Sequence, residues 1–162
     1  MLPLAVQNKN ILRLAAAQAL AGANSVVFYA TGAIVGNAIA PSPSLATLPI
    51  TLFVLGMAAS ILLFGALARK RGRKAAFMAG TGAGVVTGLA AALAVVLGSF
   101  LLFCFAAMLG GAYAAVALSF RFAATDGVAP ERRARALSLV MGGGVAAGII
   151  GPMLVTGTMH LW

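Results

Sequence analysis

Gln18, Asn24, Ser25, Tyr113 and Arg121 place hydrogen-bonding side chains within or at the ends of long apolar stretches. At about 100° per residue of helix, Gln18, Gly22, Ser25 and Gly36 share one face, and Asn24 and Thr31 share another. Tyr113, Ala117 and Phe120 line up in the same way, with Arg121 beside them. Polar groups in hydrocarbon need partners. Either of two uses would provide them: hydrogen bonding to a polar solute, or bonding between helices. Tyr113 could stack on a solute or pack with its hydroxyl satisfied. Arg121 could attract an anion or serve as a topology charge at a helix end.

The remaining reactive residues do not form a catalytic set. Cys104 is the only cysteine and His160 the only histidine, so thiolate zinc sites and disulfide frameworks are excluded. His160 titrates in a useful range, but it lies at the end of the sequence beside Trp162, an aromatic residue suited to the outer interface. Asp126 and Glu131 are the only acids, and both accompany basic residues. Gly142-Gly143-Gly144 lacks the lysine of a phosphate-binding loop. No nucleophile–base pair is present, so an enzyme is not expected, nor is a cofactor or a metal.

The elements that must carry these residues follow from composition. Of 162 residues, 62% are hydrophobic and 8% are charged, with a net charge of +9 and a mean hydropathy of +1.07. Soluble domains carry about 25% charged residues. All eleven Lys and Arg residues fall in three islands, Lys9–Arg13, Arg69–Lys74 and Arg121–Arg135. A nucleic-acid binder gathers its basic residues on one solvated face. Islands between apolar blocks instead mark cytoplasmic loops of a membrane protein. A crossing takes about 20 residues, so cytoplasmic islands allow two crossings in each internal gap and one after Arg135. Asn37–Ser44, with Pro41 and Pro43, divides the first gap, and Gly98-Ser99 divides the second. The reading is all-α: one membrane domain over 1–162, a bundle of about five transmembrane helices near 11–38, 45–68, 75–97, 100–123 and 135–161. The first apolar stretch exceeds a signal-peptide core and is read as a retained helix. Glycines spaced by four (Gly32/Gly36, Gly80/Gly84/Gly88 and Gly144/Gly148) predict faces for close helix packing.

Between the second and third spans, Gly65-x-Leu67-Ala68, Lys70 and Gly72-Arg73-Lys74 resemble the signature loop of the major facilitator superfamily of transporters, Gly-x-Leu-Ala-Asp-Arg-x-Gly-Arg-Lys. Arg69 stands where that pattern has aspartate, so a positive charge replaces the acidic partner of the family's cytoplasmic lock. Arg121, Asp126 and Glu131 to Arg135 resemble the family's loop between helices four and five. Gly151-Pro152 resembles the core of its helix-five motif, although Val155 and Thr156 stand where the antiporter form has paired glycines.

The resemblance covers helices one to five. It implies an N-terminal part of the fold, truncated or split, with helices one and four lining a central cavity. Gln18, Asn24, Ser25, Tyr113 and Arg121 would then face a small solute, Gly65 to Lys74 would serve gating, and Asp126, Glu131 and Arg135 would pair across cytoplasmic loops. It further implies secondary or facilitative transport by alternating access, residence in the cell (plasma or inner) membrane with a cytoplasmic N-terminus, and completion by a C-terminal half or an oligomer. The expected partners are the lipid bilayer and a small-molecule solute, and nucleic acid is not among them. Proton coupling would fall to the other half, because no Asp or Glu lies within a span. The alternative is a small membrane protein acting as an oligomer or accessory subunit without transport of its own.

Overall fold

The computed structural model describes residues 4–126 and 128–158. His160 and Trp162 lie outside the described residues. The elements are α1 (Leu4–Ile39), a single 3-10 turn (Pro43–Leu45), α2 (Leu48–Val96), α3 (Phe100–Leu118), the short α4 (Phe120–Ala123) and α5 (Pro130–Thr158). Among the described residues, four stretches are long and apolar enough to cross a membrane: Gln7–Ile39, Pro43–Val96, Phe100–Ala123 and Pro130–Thr158.

The second of these stretches is too long for one crossing. A continuous helix of α2's 49 residues would extend about 74 Å, against a hydrocarbon core of about 30 Å. Gly72 interrupts it, with φ 82 and ψ 161, in a region of backbone space essentially reserved for glycine. The two arms, 48–71 and 73–96, then meet on α3. A Cβ at Gly110 would stand 3.1 Å from both the Phe53 ring and the Thr87 methyl. In an unbroken helix Phe53 and Thr87 would lie about 50 Å apart. The chain therefore reverses at Gly72, within the signature loop, and α2 supplies two spans.

The other punctuation is also local. At the end of α2, Gly98 adopts φ 62. Its N–H donates to Val95 O at 3.2 Å, and Ser99 N–H donates to Ala94 O at 2.8 Å. These two bonds form the Schellman closure of a helix. Ser99 immediately caps α3, its hydroxyl accepting from Leu102 N–H at 3.4 Å. α5 begins at Pro130, earlier than residue 135, since a proline at the first helical position is pre-set in φ and lacks the N–H that would go unpaired. Glu131 follows in the first turn, where the helix dipole favours an acid. α1 likewise starts before residue 11, so Lys9 and Arg13 ride on the helix rather than precede it.

Two compact units result, Met1–Val26 with Ala117–Trp162, and Val27–Val116. The second is organised on three phenylalanines. Phe28 stacks on Phe53 at 5.3 Å and on Phe103 at 5.7 Å. Tyr29 meets Phe53 edge-on at 5.2 Å. Ala94, Ala107 and Ala114 complete this core. Backbones approach closely around it. A Cβ at Gly56 would collide with the Met108 carbonyl, one at Gly111 with the Phe53 carbonyl, and one at Gly36 with the Ala46 carbonyl. Gly80 and Gly84 lie against Val116 and Tyr113, whereas Gly88 faces open space. Of the expected glycine face on this arm, two positions pack.

Gly65 and Gly72 both have free space around a hypothetical Cβ, but only Gly72 has positive φ. Gly72→Ala should therefore cost about 1–3 kcal/mol through backbone strain, and Gly65→Ala should be neutral or slightly stabilising in its helix. Thermal unfolding in detergent checks this; equal melting temperatures for the two variants would remove the conformational requirement at Gly72.

Candidate functional site

The first unit holds the residues from which a site can be built. α1 and α5 pack through small residues. A Cβ at Gly143 would collide with the Ala15 carbonyl, and one at Gly22 would stand 2.7 Å from Ala147 Cβ. At Gly151 it would meet Val26 Cβ at 2.7 Å and the Ala23 carbonyl at 3.3 Å. The seam of α5 is thus Gly143, Ala147 and Gly151. The expected Gly144/Gly148 face is not the packed one; both glycines have open space. Gly151 of the helix-five motif lies on the seam, while Pro152 is exposed and its carbonyl accepts from the Thr156 hydroxyl at 3.1 Å.

This seam brings Gln18 of α1 close to the middle of α5. Gln18, Leu118, Arg121, Val140, Met141 and Gly144 line a cavity of about 140 Å³. Arg121 is half-buried on α4, and its guanidinium carbon stands 5.0 Å from the centre of the Phe122 ring. Its Nε is buried and has no hydrogen-bond partner. Gly144 contributes to the cavity by having no side chain to fill it.

A second cavity, about 250 Å³, is lined by Asn8, Ile11, Leu12, Arg132, Arg135, Ala136 and Leu139. At its rim Arg132 Nη2 donates to Asn8 Oδ1 at 3.1 Å. Arg133 Nε donates to the Val128 carbonyl at 3.3 Å. Glu131 and Arg135 are exposed and one helical turn apart, the acid nearer the N-terminus, the favourable order for such a pair. Asp126 is exposed in the turn before α5.

Of the five sequence candidates, Gln18 and Arg121 share a cavity. Asn24 and Ser25 are half-buried on α1, outside the lining of both cavities. Tyr113 belongs to the other unit, where its ring packs against Gly84, 3.0 Å from a hypothetical Cβ. In the signature loop, Gly65 and Leu67 are half-buried and Arg69, Gly72, Arg73 and Lys74 are exposed. Nothing in residue type or spacing marks Asn8 as an arginine partner, or Val140 and Met141 as cavity walls. These residues are ordinary in type, and only the α1–α5 seam aligns them. Among the described residues no His, Cys, Asp or Glu cluster could hold a metal.

The family model described as Major Facilitator Superfamily matches residues 14–162. The chain belongs to the major facilitator superfamily. It is a multi-pass membrane protein. The chain is 41% identical over 150 residues to the riboflavin transporter RfnT of Brucella anthropi, which covers 93% of this chain and 38% of that protein. Two Bacillus subtilis proteins named as uncharacterized MFS-type transporters are also similar. YdeG is 30% identical over 85% of this chain and 32% of its own length, and YddS is 29% identical over 91% and 34%. The chain thus spans between about a third and two fifths of the curated relatives it matches. No solved structure matches it.

The α1–α5 seam can be tested where it differs from the sequence expectation. Gly143→Leu meets a backbone carbonyl that no rotamer can avoid, and overpacking of this kind costs about 1–3 kcal/mol. Gly148→Leu points into open space and should leave the melting temperature unchanged. The reverse order of the two variants would relocate the seam.

Proposed function

We propose that this chain forms part of the N-terminal half of a secondary transporter that moves a small solute across the cell membrane by alternating access. The observation that carries the reading is the 41% identity to a riboflavin transporter over 93% of the chain. A flavin, or a planar heterocycle of similar polarity, is accordingly the proposed solute. Gln18 and Arg121 are its proposed contacts in this half, with Asn24 and Ser25 as further polar positions toward the pathway. The basic islands support a cytoplasmic N-terminus, because Lys and Arg are concentrated in cytoplasmic loops.

In this reading the Gly65–Lys74 loop works as a reversal between two spans. Arg69 cannot take the acidic role that the family pattern gives this position. Asp126 and Glu131 are the acids available near the cytoplasmic ends, and Glu131 with Arg135 forms one proposed surface pair. Exposed pairs of this kind contribute about 0–1 kcal/mol each, so a lock built from them would open readily. A second half, from a separate C-terminal part or from a further copy, would close the pathway on its other side.

Riboflavin uptake into proteoliposomes tests the proposal, with this chain reconstituted alone and together with a C-terminal half. Uptake that requires both parts is the expected outcome. Failure of every combination to take up riboflavin, with folded protein in the membrane, would contradict the flavin assignment.

A further inference from the structure

Arg121 carries a buried guanidinium nitrogen without a hydrogen-bond partner. A buried donor left without one costs about 1–3 kcal/mol, and more when it belongs to a charged group. The guanidinium is a planar fork whose Nε–H and Nη–H point side by side, a geometry that suits an oxygen acceptor lying in the same plane. In this chain the Nε arm is shielded from solvent and has no partner. Arg121 also lines, with Gln18, a cavity of about 140 Å³. The lining includes no carboxylate that would neutralise the guanidinium, and its remaining members, Leu118, Val140, Met141 and Gly144, are apolar.

Gln18 narrows the chemistry. A glutamine amide presents one acceptor oxygen and two donor hydrogens. A simple anion would use only donors. A group that presents an acceptor oxygen next to an N–H would use the arginine fork and both functions of the amide. The apolar walls suit a flat ring edge. A methionine wall adapts to such a shape, and Gly144 leaves room for it, with no atom within 4 Å of a hypothetical Cβ.

We infer that Arg121 and Gln18 form a recognition site for the amide or imide edge of a planar solute: Arg121 donates to its carbonyl oxygen and Gln18 pairs with the adjoining N–H. The cavity accepts one ring edge, and the rest of the solute extends out of it. This assignment rests on the transport reading above and adds to it the part of the solute that this half recognises. Arg121 and Gln18 act as specificity-determining residues.

The test uses the complete transporter carrying this chain, purified in detergent, with flavin fluorescence quenching as the readout. The probes are riboflavin, which has an imide edge, and its N3-methyl derivative, in which the N–H is blocked. The wild type should bind riboflavin about tenfold or more tightly than the methylated form, the scale of one charge-assisted or well-formed hydrogen-bond set. Arg121→Lys keeps the charge but loses the fork, and should weaken riboflavin binding about tenfold. Gln18→Leu should bind both probes equally weakly. Gly144→Leu fills the cavity without altering either polar group and should also abolish binding; it provides a second reading if Arg121→Lys fails to fold. Wild-type riboflavin binding with unchanged affinity and selectivity in the folded variants would overturn the site while leaving the transport reading intact. Absence of riboflavin binding by the wild type would overturn both the site and the flavin assignment.

Discussion

Helices already surrounded by lipid gain little hydrophobic energy from touching one another, so their association depends on close packing and hydrogen bonds. This chain meets that constraint by bringing backbone against backbone. Gly143 lies on the Ala15 carbonyl, Gly56 on the Met108 carbonyl and Gly111 on the Phe53 carbonyl. At each contact a side chain would occupy the space of a main-chain atom. The small residues at these contacts therefore act as geometric requirements. In the Val27–Val116 unit they let the three stacked phenylalanines reach one another. In the other unit they hold α1 to α5 closely enough that Gln18, Val140, Met141 and Gly144 enclose one space.

That arrangement separates two kinds of polar residue. Thr31, Thr81, Thr87, Ser138 and Thr158 return their hydroxyls to carbonyls one turn earlier in their own helices, which satisfies them without a neighbour. Arg121 cannot be satisfied in this way. Its Nε is buried and unpartnered, and the residue lines a cavity of the first unit. A packed membrane bundle that keeps such a group spends stability on it.

Much of the architecture was legible from charge alone. Three basic islands divide the chain into its crossings, and Gly98-Ser99 and Pro41–Pro43 mark turns that the backbone makes. The sequence also located Gly72 within the signature loop. Space around Gly72 is open, and the requirement is its positive φ. The glycine faces were legible only in part. Spacing of four fits Gly144/Gly148 as well as Gly143, Ala147 and Gly151, because adjacent faces of one helix can carry the same periodicity. Only packing against Ala15, Gly22 and Val26 distinguishes them. The polar candidates were ambiguous for a related reason: residue type shows that Gln18, Ser25 and Tyr113 need partners, but not which helix or solute provides them.

The central claim is that the space beside Arg121 lies on the solute's path. Impermeant-maleimide labelling of a Met141→Cys variant in oriented membrane vesicles tests it most directly, with buried Cys104 replaced by serine to remove background. The account predicts labelling from the cytoplasmic side, slowed by riboflavin in the complete transporter. A cysteine at this position that stays unlabelled from either side, or reacts at the same rate with and without riboflavin, would contradict it.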